Sequence, residues 1–235
     1  MAILKGGLFG DISGKLNNVV VRKVNGKDVI TVRPKKYQKT KNEKAIYIRS
    51  RFSVAVEFSK YVNSIPILKQ VWKNAQIKGS SSFNKIEKFN ISQVNDKAPS
   101  LKNIITPHDQ SYSRFCSFPF KDVSINLNEI CGTIIDTDLF YPAIGAYQFT
   151  LVFVLLFYEP KEKDNKYFLL DNIVYPNLDP ITTNGEIKIP LNSIIKKEIA
   201  LYSSLILYSA SVIWIDSRKE YFNSFTYTKE FDIPQ

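Results

Sequence analysis

Leu16-Asn-Asn-Val-Val-Val-Arg-Lys-Val-Asn25-Gly26-Lys-Asp-Val-Ile-Thr-Val-Arg33 is the stretch on which the architecture turns. Two runs rich in β-branched residues, Leu16–Val24 and Lys27–Arg33, flank Asn25-Gly26. Asn-Gly between such runs is the strongest short hairpin signal, because a type I′ turn needs φ > 0 at both central residues. Pairing across that turn sets Val21 opposite Ile30, Val19 opposite Val32 and Lys23 opposite Asp28. One face is then apolar with an ion pair near the tip. The other carries Arg22, Lys27 and Arg33 among Val20, Val24, Val29 and Thr31. A lone two-stranded hairpin is marginal in water, so this one must lie on its own helix, on the rest of the chain or on another subunit.

Working outward, five of the nine glycines (Gly6, Gly7, Gly10, Gly14 and Gly26) fall within the first 26 positions. Gly10-Asp-Ile-Ser-Gly14-Lys15 resembles a phosphate loop only superficially. Phe9 stands where the first Gly belongs, Leu16 stands where Ser or Thr should follow the Lys, and no strand is expected before it and no helix after it. A flexible or edge-pairing arm is the better reading. After the hairpin comes a basic connector, Pro34-Lys-Lys-Tyr-Gln-Lys-Thr-Lys-Asn-Glu-Lys44. From about Asn42 to Val62 the spacing of Ala45, Ile48, Phe52, Ala55 or Val56, Ser59 and Val62 predicts a helix with one apolar stripe. Pro66–Ile77 and Phe83–Val94 read as second and third helices, and residues 95–112 as a linker.

Beyond the linker, apolar runs alternate with turns. Candidate strands are Arg114–Phe118, Asp122–Leu127, Tyr147–Tyr158, Lys166–Leu170, Glu186–Ile189, Ser203–Trp214 and Tyr221–Phe231. Leu151-Val-Phe-Val-Leu-Leu-Phe157 suits a buried strand and is far too short to cross a bilayer as a helix. About seven strands in about 120 residues fits an immunoglobulin-like antiparallel β-sandwich. The expected fold is therefore α+β: residues 1–95 as a basic β-hairpin arm with a short helical layer, 96–112 as linker, and 113–235 as sandwich.

Charge divides the chain in the same way. The 235 residues carry a formal net charge of +10. Residues 1–100 hold 20 Lys/Arg against 6 Asp/Glu, whereas residues 101–235 hold 12 against 16. Such asymmetry suggests an anionic partner or head-to-tail contacts between copies. Lys outnumbers Arg 26 to 6, and scarce Arg argues against sequence reading of DNA. The catalytic inventory is thin: one His, in a Pro-rich connector where a solvated side chain is the usual state, and two Cys at positions 116 and 131. Cys116 and Cys131 read as buried free thiols, with a single disulfide as the alternative, rather than a redox pair or a zinc site. Asp136 and Asp138 lack a third carboxylate for calcium or acid–base work. Nothing points to an enzyme, a metal or a cofactor. The start of the chain has no apolar core behind a positive region, so cytoplasmic synthesis without a Sec signal and no membrane insertion are expected.

Gly6-Gly7-x-x-Gly10-x-x-Ser13-Gly14-Lys15-x-x-Asn18-x-Val20, followed by Gly26-Lys27, Arg33-x-x-Lys36 and the Arg49/Arg51-Phe52 helix start, resembles the domain-of-unknown-function 6266 family of Bacteroidota and their phages. The resemblance covers about residues 1–60 and extends loosely to 95. Family members usually carry Asn-Pro before the helix, where this chain has Thr40-Lys41-Asn42. The family has no established activity, so the resemblance implies no functional residue.

Two functions lead as expectations, with a carbohydrate- or protein-binding sandwich domain as a third. One is a non-enzymatic structural or assembly protein, such as a virion component or a self-assembling filament or scaffold subunit. Its contacts with like copies or other structural proteins would run through an arm containing Gly6, Gly7, Gly10, Gly14, Val19, Val21, Asn25, Gly26, Ile30 and Val32. The alternative is a nucleic-acid-associated protein with Lys35, Lys36, Lys39, Lys41, Arg49 and Arg51 on phosphates.

Overall fold

A computed structural model describes residues 3–5, 11–16, 19–24, 27–32, 42–108, 118, 120–134, 147–176, 185–216 and 219–233. Two compact units divide between Glu43 and Lys44. The first is a four-stranded antiparallel meander of β1 (Ile3–Lys5), β2 (Asp11–Leu16), β3 (Val19–Val24) and β4 (Lys27–Val32), in the order β1-β2-β3-β4. The hairpin register is the expected one: Val19 pairs with Val32, Val21 with Ile30 and Lys23 with Asp28. The two preceding strands extend the hairpin, with Gly14 opposite Val21 and Leu4 opposite Ile12.

The second unit begins with three helices, α1 (Glu43–Ser64), α2 (Pro66–Asn74) and α3 (Ser82–Asn90). Pro66 opens α2 where its missing N–H costs nothing, and the Ser81 side chain caps α3 by accepting from Asn84 N. The strands follow: β5 (Phe120–Ile125), β6 (Glu129–Ile134), β7 (Tyr147–Pro160), β8 (Phe168–Tyr175) and β9 (Gly185–Pro190). A fourth helix, α4 (Ser193–Leu201), leads directly into β10 (Tyr202–Ile215), and β11 (Glu220–Asn223) and β12 (Tyr227–Asp232) close the chain.

The frame of this unit is the 14-residue pair β7 and β10, antiparallel from Tyr202↔Pro160 to Ile215↔Tyr147. β8 lines the outer side of β7, while β12 and β11 share the outer edge of β10 end to end. Both faces of this sheet are covered. Val152, Val154, Leu156, Ile206, Tyr208 and Val212 point to a core shared with α1, α2 and α3. Phe149, Phe153, Leu155, Leu205, Leu207 and Ile213 point to a second core shared with α4 and the three-stranded sheet β5-β6-β9. Two-sided burial explains why the Leu151–Phe157 run has no polar alternation: all seven residues are fully buried. Each such side chain contributes about 1.5–3 kcal/mol of transfer free energy.

The mixed α+β composition and the antiparallel sheets agree with expectation. The expected division after residue 95 differs from the observed one. The helices share a core with β7 and β10 and so belong with the strands. The expected linker over 96–112 is a packed loop as far as His108, with Ala98, Asn103, Ile105 and Thr106 buried. Its polar residues serve internal hydrogen bonds rather than solvation: Asn103 donates to Asn90, and Trp72 Nε1 donates to Ile105 O. Residues 109–112 and most of the strand expected over Arg114–Phe118 lie outside the described residues. The run expected as one strand over Tyr221–Phe231 is two, β11 and β12, and α4 and β6 were not foreseen.

Candidate interaction surface

Among the described residues, β4 ends the N-terminal sheet, and one row of its backbone groups has no strand beside it in the sheet order. Ile30 and Val32, both β-branched, are 68% and 76% exposed there, although their cross-strand partner Val21 is buried and Val19 half-buried. Thr31 Oγ1 on the opposite face donates to Val20 O, which fastens the pair β3–β4 from within. An open edge that presents large apolar side chains is a template for another strand or another subunit. Of the expected arm residues, Gly14, Val19, Val21, Ile30 and Val32 are brought together in this sheet. Gly6, Gly7, Gly10, Asn25 and Gly26 lie outside the described residues.

The expected phosphate contacts fare differently. Lys35, Lys36, Lys39 and Lys41 are outside the described residues. Arg49 is exposed on α1. Arg51 is committed elsewhere: its Nε donates to Val94 O at 3.0 Å and its guanidinium to Ser92 O at 3.1 Å and Ile91 O at 3.4 Å. These are carbonyls just past α3, where a cation also meets the negative end of the helix dipole. The Tyr47 ring lies 5.6 Å from the same guanidinium. Arg51 therefore ties α1 to α3 and is not free to take a phosphate. The stripe expected on α1 is buried only in its second half, from Val54 onward; Ile48 and Phe52 stand exposed.

Two buried polar sites and one surface cleft bring together residues that the sequence separates. Lys85, 8% exposed, sends its ammonium to Trp72 O, Lys73 O and Ala75 O at the end of α2. Burial lowers its pKa. Glu198 on α4 has a buried Oε2 with no hydrogen-bond donor; burial first and the Asp171 charge second push its carboxyl up to about 7. Asp171 on β8 is itself raised by burial, against the help of Asn172 N and Tyr61. Beside the loop of residues 95–101, a cleft of about 460 Å³ is lined by Asp96, Tyr158, Glu159, Tyr167 and Glu230. Its two glutamates are already engaged: Tyr158 donates to Glu230, and Ser204 Oγ donates to Glu159 Oε2 at 3.1 Å.

His108 is not a solvated loop residue. It is half-buried, and its Nε2 accepts the Thr226 N–H at 2.6 Å, so that nitrogen is not available as a base. Cys131 is a free, half-buried thiol pushed up by burial, and Cys116 lies outside the described residues. Among the described residues, no three His, Cys, Asp or Glu converge to hold a metal ion, and no helix is long and apolar enough to cross a membrane.

No family model, curated protein or solved structure matches this chain. The reading of its surfaces therefore rests on their own chemistry.

Proposed function

We propose that this chain is a non-enzymatic structural or assembly protein whose N-terminal sheet makes contacts between subunits. What carries the reading is the β4 edge, where Ile30 and Val32 face solvent at the open end of a sheet that forms a compact unit of its own. Burying those two side chains against a neighbour removes apolar surface worth about 1.5–3 kcal/mol each, and an added strand satisfies the free backbone row. The charge split between basic residues 1–100 and the acidic remainder favours head-to-tail contacts over like-with-like ones. The five- and three-stranded sheets that face each other across one core support a sandwich, and an immunoglobulin-like kinship for it is part of this proposal. So is the setting: a virion component or a filament or scaffold subunit, as the resemblance to the phage-associated family suggests.

Removal of residues 1–34 tests the proposal. Light scattering is expected to show the full chain as an oligomer and the shortened chain as a monomer. An unchanged oligomer refutes the role of the sheet. Clustering that instead requires DNA and falls steeply with salt would assign the basic half to nucleic acid.

A further inference from the structure

We infer that His108, the only histidine of the chain, is an acid-sensitive latch that holds the segment Ile105–His108 onto the seam between β11 and β12. The seam is a real discontinuity. β12 pairs with β10 over Ser204–Ser209 and β11 pairs with it over Val212–Ile215, so Ser224, Phe225 and Thr226 bridge the gap. Ser224 N donates to Ser211 O and Ser224 Oγ accepts from Ser211 N, both at 2.9 Å, which pins the bridge to β10. The segment before His108 docks on the outside of this bridge. Ile105 N and Thr106 N both donate to Thr226 Oγ1, at 3.0 and 3.1 Å, and Thr106 Oγ1 donates to Ser224 O at 2.9 Å. The last link is Thr226 N–H to His108 Nε2, with the imidazole edge-on to the Phe225 ring at 4.8 Å.

That link fixes the chemistry. A ring nitrogen that accepts a backbone N–H is unprotonated, so the imidazole is neutral and its proton sits on Nδ1. An imidazolium would turn Nε2–H toward Thr226 N–H, two donors with no acceptor between them. Protonation and the latch therefore exclude each other. Among the described residues the cation meets no compensating charge: the facing Ser224, Phe225 and Thr226 are uncharged, as are Ile105, Thr106 and Pro107 of its own segment, while the neighbouring Asp109 lies outside the described residues. Burial acts in the same direction and lowers the affinity of the closed imidazole for a proton. Once released, the ring titrates near its ordinary value of about 6.5. Acidification below that value draws the segment off the seam, and nothing in the proposed assembly role is needed for it.

The uniqueness of His108 makes the test direct, because the full-length ¹⁵N-labelled chain has a single imidazole. At pH 7 its nitrogen shifts are expected to report the neutral ring with the proton on Nδ1. Amide-exchange protection at Ile105, Thr106 and Thr226 is expected to fall by about tenfold per pH unit below about 6.5, for as long as the closed ring resists the proton. His108→Gln places an amide oxygen where Nε2 was and keeps an acceptor at every pH, so its protection at these three amides is expected to stay flat from pH 7 to 5. The inference is overturned by a proton on Nε2 at pH 7, by flat protection in the wild-type chain, or by a fall of the same size in His108→Gln. If that variant does not fold, the tautomer and the wild-type titration decide between the outcomes.

Discussion

Replacing Lys85 by Met keeps the length and most of the apolar stem of the side chain and removes only the ammonium. Three carbonyls then lose their donor: Trp72 O (3.1 Å), Lys73 O (3.1 Å) and Ala75 O (2.7 Å). The bonds to Trp72 O and Ala75 O are buried, so water cannot replace them there; the one to Lys73 O is only partly buried and can be rehydrated. An unsatisfied buried acceptor costs about 1–3 kcal/mol, so two of them set the loss at about 2–6 kcal/mol. Relief of the ammonium's own desolvation places the expected value toward the lower end of that range. This is a large share of a domain stability of about 5–15 kcal/mol. Urea unfolding followed by tryptophan fluorescence measures it, since Trp72 is fully buried in the same core. The midpoint should drop with the slope unchanged. Gly79 provides an independent check on the same geometry: a Cβ there would stand 2.7 Å from Lys85 Cγ, so Gly79→Ala should displace the stem and lower stability in the same direction. A loss under about 1 kcal/mol for Lys85→Met would refute the idea that this ammonium closes the end of α2.

Gly132→Ala should destabilise the β5–β6 pair, because a Cβ at that position would lie 2.1 Å from the Phe120 ring, which is itself buried beside the irregular register between Lys121 and Ser124. Overpacking of this kind costs about 1–3 kcal/mol, read by thermal unfolding. Glu198→Gln should stabilise the chain at pH 7.5 and not at pH 4. The folded carboxyl is raised from 4.5 to about 7, so the unfolded state ionises first as pH rises and stability is lost across that window. The full shift amounts to about 3 kcal/mol, and partial solvent access to this helix position brings the expected gain down to about 1–2 kcal/mol. Equal stabilities of variant and wild type at pH 7.5 would show that the buried Oε2 carries no such strain.

The parts of this fold legible in the sequence are those written in local chemistry. Asn25-Gly26 predicts a two-residue connection, and the observed pairs Val24 with Lys27 and Val21 with Ile30 have the register that reading requires. Pro66 and Ser81 marked helix starts for the same local reason. The double cover of β7 was also present in the sequence, because a run apolar at both odd and even positions has no solvent face. Its second partner, the helical layer, was read as a separate domain because nothing local says which elements share a core. α4 carried its own sign in Asn192, whose side chain accepts from Ile194 N and Ile195 N, but its nine residues sit among candidate strands and the sequence reading assigns them no element. The long-range polar sites were out of reach. His108 and Thr226 are brought together across 118 positions, and Lys85 reaches carbonyls on another helix. Arg51, expected on a phosphate, donates instead to the carbonyls of Ile91, Ser92 and Val94, a long-range commitment that a basic run does not display. Of the arm, the pairing was legible and the exposure of Ile30 and Val32 was not.

That exposure permits the most direct measurement. Ile30→Lys with Val32→Lys adds charge at two positions that already face solvent, so it should leave the N-terminal sheet folded. Sedimentation of the full-length wild-type chain is expected to show an oligomer whose mass is a multiple of 27.0 kDa, and the double variant a monomer at the same concentration. A wild-type chain that stays monomeric, or a double variant that assembles as the wild type does, would contradict the assignment of the β4 edge as the subunit contact.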